Sequence, residues 1–313
     1  MHDRMHVHAY AKVNLCLSVG PADPSLGGLH PLCGVFACVD LADDLQLTPA
    51  ERTSVARRWA SDAPRPSPID WASEDDLCVR AVRAYERCVG GSRGTSIRLD
   101  KRIPVGGGLG GGSADAAAVL GVLPALHGDD VDHATLVRLA QELGSDVPFF
   151  IDPEPMGQAP GDPVLGDLVS GDPVPAIPRP AVVSGTGDSV ERLPPIAGDL
   201  LLVFPEAACP TAAVYAGFDR SPTSLDEPRV RRLAGRLAAG AFEGLWNDLA
   251  HAAGEVAPRV ADIREQLASV LGRAVHMTGS GSTLFVAAAD EREAQRAQAA
   301  LRGVPMTRVR LVP

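Results

Sequence analysis

From residue 104 to residue 120 the chain reads Pro-Val-Gly-Gly-Gly-Leu-Gly-Gly-Gly-Ser-Ala-Asp-Ala-Ala-Ala-Val-Leu, with six glycines in the seven positions 106–112. Glycine has no Cβ, so such a backbone reaches φ > 0 and lets a ligand approach closely. The run empties into an alanine-rich segment, residues 114–126, that reads as a helix. Ser113 is the expected N-cap, and Asp115 is expected in the first turn, where the helix dipole favours an acid. A glycine loop opening into a helix N-terminus offers unpaired N–H groups to an anion, and phosphate is the usual guest. The stretch therefore reads as a nucleotide-phosphate cradle.

Three such cradles can be compared. A Walker A loop needs Lys after its last glycine, and Ser113 stands there instead. The dinucleotide pattern Gly-x-Gly-x-x-Gly is matched by Gly106, Gly108 and Gly111, but a glycine run this dense matches almost any glycine pattern. That pattern also requires a long buried strand before it and an acid at the end of the next strand. Here the upstream strand is short and closed by Pro104, and Asp129 and Asp130 sit in a turn. A dinucleotide oxidoreductase stays as an alternative, open to an NADH titration.

The segment Pro104-x-Gly-Gly-Gly-Leu-Gly-Gly-Gly-Ser113 resembles the phosphate loop of the GHMP kinases, a family that includes galactokinase, homoserine kinase and mevalonate kinase. The resemblance implies an α/β (α+β) fold of two lobes, ribosomal-S5-domain-2-like at the N-terminus and ferredoxin-like at the C-terminus. The expected division is an ATP-binding lobe over 1–180 and a substrate-binding lobe over 181–313. Residues 153–180, crowded with Pro, Gly and Asp, are expected to form a flexible insertion. ATP as co-substrate, Mg²⁺, a small-molecule acceptor and a monomer or homodimer are likewise implied.

The same resemblance assigns roles. Pro104, Val105, Gly106, Gly107, Gly108, Leu109, Gly110, Gly111, Gly112, Ser113 and Ala114 would hold ATP, with Ser113 also a candidate Mg²⁺ contact. Lys101 and Asp76 match family positions near the nucleotide, although the family has Asn where Asp76 stands. Lys12 and Asn14, in an Ala-Lys-x-Asn-Leu motif, point to one face of a strand over residues 6–19 and would meet the phosphoryl acceptor. Asp146, in Gly-Ser-Asp-Val-Pro, corresponds to the catalytic aspartate. It is expected to meet Lys12 in the fold, although by itself it reads as a helix cap. His30 matches a cytosine-contacting position, Leu29 stands where the family has tyrosine, and Thr211 and Tyr215 complete the implied acceptor site. The implied reaction moves the ATP γ-phosphoryl group to an erythritol bearing a cytidine 5′-diphosphate. Leu29 and Asp76 keep homoserine, mevalonate or a sugar open as acceptors, and a nucleotide-binding regulator without catalysis is the remaining alternative. The turn 278–283, Thr-Gly-Ser-Gly-Ser-Thr, matches a third family motif, whose amides would hold a second phosphate or pack against the first loop.

Composition narrows the rest. A chain of 313 residues exceeds one ordinary core. A net charge of −10 disfavours a sequence-independent nucleic-acid binder. Only two lysines occur, Lys12 and Lys101, and both fall beside the proposed site. The six cysteines form no Cys-x-x-Cys pair, which with the lack of a leader-like or membrane-length apolar run leads to an expected cytoplasmic location. Residues 42–44 are expected to break a strand, residues 50–70 to form an exposed loop, and residues 74–89 to form a helix with acids in its first turn.

Overall fold

The structure, a computed structural model, describes residues 3–153 and 177–312. Most of the insertion expected over 153–180 therefore lies outside the described residues. The chain forms two compact units. Unit 1 comprises Met1–Ala11, Leu41–Ile103 and Gly110–Pro178, and unit 2 comprises Lys12–Asp40, Pro104–Leu109 and Arg179–Pro313. The last crossing lies beside the boundary expected at 180, and the earlier crossings have no counterpart in the sequence reading.

Strand β1 (Met5–Val19) contributes residues 5–11 to unit 1, where it alternates, burying Met5, Val7, Ala9 and Ala11. Strand β2 (Leu32–Pro49) runs straight through the expected break at 42–44. Its Asp43 is buried in phase with Leu41, Leu45 and Leu47, so the acid belongs to the inward face of a strand. Strand β3 (Ser54–Trp59) lies within the expected loop. Its arginines are a poor strand signal, but backbone pairing with β4 (Thr95–Lys101) decides its conformation. β3 runs parallel to β4, and β4 runs antiparallel to residues 44–49 of β2.

Helix α1 (Leu77–Val89) begins later than expected. Glu74 and Asp75 form a 3-10 turn, and Asp76 caps α1 by accepting from the Cys78 amide. Helix α2 (Gly111–His127) is apolar nearly all round, as a helix buried on most sides must be. Its N-cap is Gly110 at φ 68°, not Ser113, because the left-handed entry needs a residue without Cβ. Asp115 is accordingly past the first turn. Helix α3 (His133–Leu143) is capped by Asp132 and followed by Gly144. Tyr85, Leu120, Leu123 and Leu139 from the helices join Leu45, Leu47, Ile97 and Leu99 from the strands in one core. Burying each such leucine contributes about 2 kcal/mol.

In unit 2, residues 32–36 of β2 pair antiparallel with β5 (Ala181–Gly185), which forms a hairpin with β6 (Ser189–Arg192) through Gly185 at φ 73°. A second, antiparallel sheet uses β7 (Asp199–Val203), β8 (His276–Met277), β9 (Leu284–Ala287) and β10 (Met306–Arg310), in the order β10-β7-β9-β8. Helices α4 (Thr211–Phe218), α5 (Glu227–Ala238), α6 (Ala250–Val256), α7 (Pro258–Leu271) and α8 (Glu291–Ala300) complete it. The packed pairs are α4 with α6, α6 with α7, and α7 with α8. Helices grouped with an antiparallel sheet are the α+β arrangement.

His276 on β8 stacks against Phe285, and burial lowers its pKa from 6.5 to about 4. The unfolded chain therefore binds a proton that the folded chain refuses between those two values. This contribution to stability is complete above pH 6.5 and declines as pH falls toward 4. Denaturation midpoints measured across that range are expected to fall less steeply for His276→Asn than for the parent. Equal slopes would place the histidine in water.

Candidate functional site

The glycine stretch is shared by the two units, residues 104–109 in unit 2 and residues 110–113 in unit 1. Three glycines in it take positive φ: Gly106 at 68°, Gly108 at 76° and Gly110 at 68°. In unit 1, Gly111 is pressed against Ile103, whose Cγ2 would stand 2.9 Å from an added Cβ. Ser113 is half-buried in the first turn of α2, and Ala114 is buried behind it.

Lys101 is no surface lysine. It is 4% exposed and donates to Asp43 Oδ2 at 2.5 Å and Asp115 Oδ2 at 2.9 Å. Asp43 Oδ1 also accepts from the Arg102 and Ile103 amides, at 2.5 and 2.8 Å. One ammonium thus faces two buried carboxylates. Burial alone would lower the Lys101 pKa, but Asp115 and Asp43 raise it above the ordinary lysine value. Burial pushes the Asp115 carboxyl well above the usual carboxylate range despite Lys101, and Asp115 Oδ1 has no hydrogen-bond partner among the described residues. These contacts tie β2, the end of β4 and α2 together at residues flanking the glycine stretch. Asp76 is also committed, accepting from Arg57 Nη1 at 3.1 Å, Trp71 Nε1 at 3.0 Å and the Cys78 amide at 2.9 Å. Asp146 precedes the 3-10 turn Val147–Phe150, and its side chain makes no capping hydrogen bond there. Asp146 thus occupies the cap position of that turn without supplying a side-chain cap.

In unit 2, Lys12 and Asn14 are 3% and 2% exposed, so the strand face that carries them is turned inward. Lys12 Nζ donates to Asn14 Oδ1 at 2.7 Å and lies 4.9 Å from the Phe36 ring centroid. The Lys12 amide donates to the Leu109 carbonyl at 2.9 Å, fixing β1 to the glycine stretch. The turn 278–283 packs on that stretch as well. Thr283 N donates to Gly107 O at 3.3 Å, and a Cβ on Gly108 would overlap the Thr278 carbonyl oxygen. Of the two expected uses for this turn, packing against the first loop is present.

A third group in unit 2 gathers around His30. Its Nδ1 lies 3.0 Å from the Gly20 carbonyl, which can only accept, so this nitrogen carries the proton. Nε2 lies 3.5 Å from Asp219 Oδ1. The His30 ring stands 4.8 Å from Tyr215 and 5.8 Å from Phe218. Leu29 is 58% exposed. Thr211 Oγ1 is 3.0 Å from Ser280 Oγ. The structure thus brings Lys12 together with Asn14, and His30 with Tyr215; Lys12 belongs to unit 2 and Asp146 to unit 1.

Comparison with known proteins matches residues 76–152 to the GHMP kinases N terminal domain and residues 228–304 to the GHMP kinases C terminal domain. The 4-diphosphocytidyl-2-C-methyl-D-erythritol kinase of Chlorobaculum tepidum is 33% identical over 309 residues, covering 96% of each chain. That of Methylobacterium radiotolerans is 34% identical, covering 94% of this chain and 93% of the relative. The chain belongs to the GHMP kinase family. A crystal structure of a 4-(cytidine 5′-diphospho)-2C-methyl-D-erythritol kinase superposes on this GHMP kinase with a TM-score of 0.73 at 33% identity, covering 99% of this chain and all of the other. Homoserine kinase from Cytophaga hutchinsonii shares the fold, with a TM-score of 0.62 at 17% identity. The kinase is a small-molecule phosphotransferase with ATP as phosphate donor.

Sequence reasoning passed over Asp43, Asp115 as a pairing residue, Phe218 and Asp219. Asp43 had a signal, since it falls in phase with three leucines. All six cysteines are free thiols. Among the described residues no group of three or more His, Cys, Asp or Glu side chains could hold a metal, and no helix is long and apolar enough to cross a membrane.

Proposed function

We propose that this kinase transfers the γ-phosphoryl group of ATP to the 2-hydroxyl of 4-(cytidine 5′-diphospho)-2-C-methyl-D-erythritol, in non-mevalonate isoprenoid precursor synthesis. The observation that carries the reading is the match, over 96% of both chains, to a relative named for that substrate. The His30–Tyr215 pair supports it, because an aromatic face at 4.8 Å offers the base stacking that exposed Leu29 does not. Such stacking is worth about 1–3 kcal/mol per base.

In this mechanism the amides of residues 106–112 hold the β- and γ-phosphates, and positioning with charge stabilisation supplies most of the rate. Lys12, oriented by Asn14, stabilises negative charge developing on the acceptor oxygen. Asp146 orients the hydroxyl and takes its proton. The donor set suits Mg²⁺, which keeps waters and phosphate oxygens and needs only one or two protein ligands. Ser113, half-buried beside the glycine amides, provides one such oxygen. When bound, the ion neutralises phosphate charge.

Release of ADP by the purified protein, measured with the cytidine compound, homoserine, mevalonate and galactose as acceptors, tests the proposal. Turnover is expected with the cytidine compound. Turnover with another of these alcohols and none with the cytidine compound would overturn it.

A further inference from the structure

Thr278 lies in the turn between β8 and β9, is fully buried, and has a side chain that no role assigned above uses. Its hydroxyl oxygen accepts the Asn14 amide N–H at 2.9 Å. It also stands 3.1 Å from Asn14 Oδ1 and 3.2 Å from the Gly108 carbonyl oxygen. A threonine hydroxyl has one proton, and both of these neighbours are acceptors, so that proton is shared or alternates between them. Asn14 Oδ1 receives the Lys12 ammonium at the same time, at 2.7 Å. The Lys12 ammonium, joined by the Thr278 hydroxyl when its proton faces Oδ1, fixes which way the Asn14 amide faces. The side chain's own donor, Nδ2, is thereby turned away from Lys12 and Thr278.

The surroundings hold Thr278 in place. Asn247 Nδ2 donates to the carbonyls on either side of it, Met277 O at 2.9 Å and Gly279 O at 2.8 Å. Its own amide donates to Thr283 O at 3.1 Å, and its carbonyl accepts from Gly281 N at 3.1 Å. A residue this firmly tied can transmit position.

We infer that Thr278 is a positioning residue for phosphoryl transfer, whose hydroxyl sets the Asn14 amide, and through it Lys12, in register with the Gly108 carbonyl of the phosphate loop. The inference rests on the proposed roles of Lys12 and Asn14 at the acceptor. Thr278→Val removes the hydroxyl and keeps the shape, while Thr278→Ser keeps the hydroxyl. Small misplacements of positioning groups cost on the order of 10²-fold in rate.

The test measures kcat, both KM values and the denaturation midpoint for Thr278→Val, Thr278→Ala, Thr278→Ser, Asn14→Ala and the double variant Asn14→Ala/Thr278→Val. Thr278→Val is expected to lose on the order of 10²-fold in kcat, and Thr278→Ser to stay within about threefold of the parent. In the Asn14→Ala background the valine substitution is expected to cost little more, because the group it acts through is gone. A merely structural threonine would shift the midpoint, leave kcat per folded molecule unchanged and give additive losses. Parental kcat in Thr278→Val, or additive losses in the cycle, would overturn the inference. If the valine variant does not fold, parental kcat in Thr278→Ala does the same. Undiminished turnover in Asn14→Ala would instead remove the reading on which the inference stands, and the two failures are thus distinguishable.

Discussion

Replacing Asp146 by alanine is expected to lower kcat by about 10²-fold or more while ATP still binds. The aspartate sits at the start of the Val147–Phe150 turn with αR backbone geometry, and its carboxylate does not cap that turn. Val147 and Phe149, which follow it in the turn, are buried. Asp146→Asn separates two contributions, since the amide can still accept a hydrogen bond from the acceptor but cannot take its proton. A carboxylate is a weak base for an alcohol, and a small loss in the asparagine variant would assign most of the effect to orientation. Initial rates of ADP release, with nucleotide binding measured by calorimetry, decide both points. Near-parental turnover in the alanine variant would remove Asp146 from the mechanism.

Lys101→Met is expected to reduce folding stability by about 3–5 kcal/mol, the usual loss when one partner of a buried ion pair is removed. The methionine leaves Asp43 and Asp115 buried together with no cation between them. Asp115→Asn should cost much less, because it leaves a balanced pair of one ammonium and one carboxylate. Urea denaturation of the two variants at neutral pH gives the comparison. A loss below about 1 kcal/mol for Lys101→Met would mean that water reaches the cluster.

The glycine-rich stretch, the strand carrying Lys12 and Asn14 and the two helices that follow the glycines were legible because each has a local signature. The glycine run, the period-two alternation of β1 and the stop at Gly144 all act within a few residues. What escaped depends on distant partners. Nothing near residues 54–59 announces a strand, because its conformation is set by pairing with β4 across more than 30 residues of chain. Ser113 looked like the cap, but the chain enters α2 with positive φ and the cap fell to Gly110. The scarcity of lysine marked Lys101 without revealing its partners, since Asp43 and Asp115 lie 58 and 14 residues away. Thr278 is more remote still, 264 residues from Asn14.

The path of the chain has a practical consequence for anyone dissecting this enzyme. Each unit is assembled from three separate stretches of polypeptide. Severing any single peptide bond therefore cannot release an intact half, and a chimera with a relative must exchange several segments at once to carry one unit across whole.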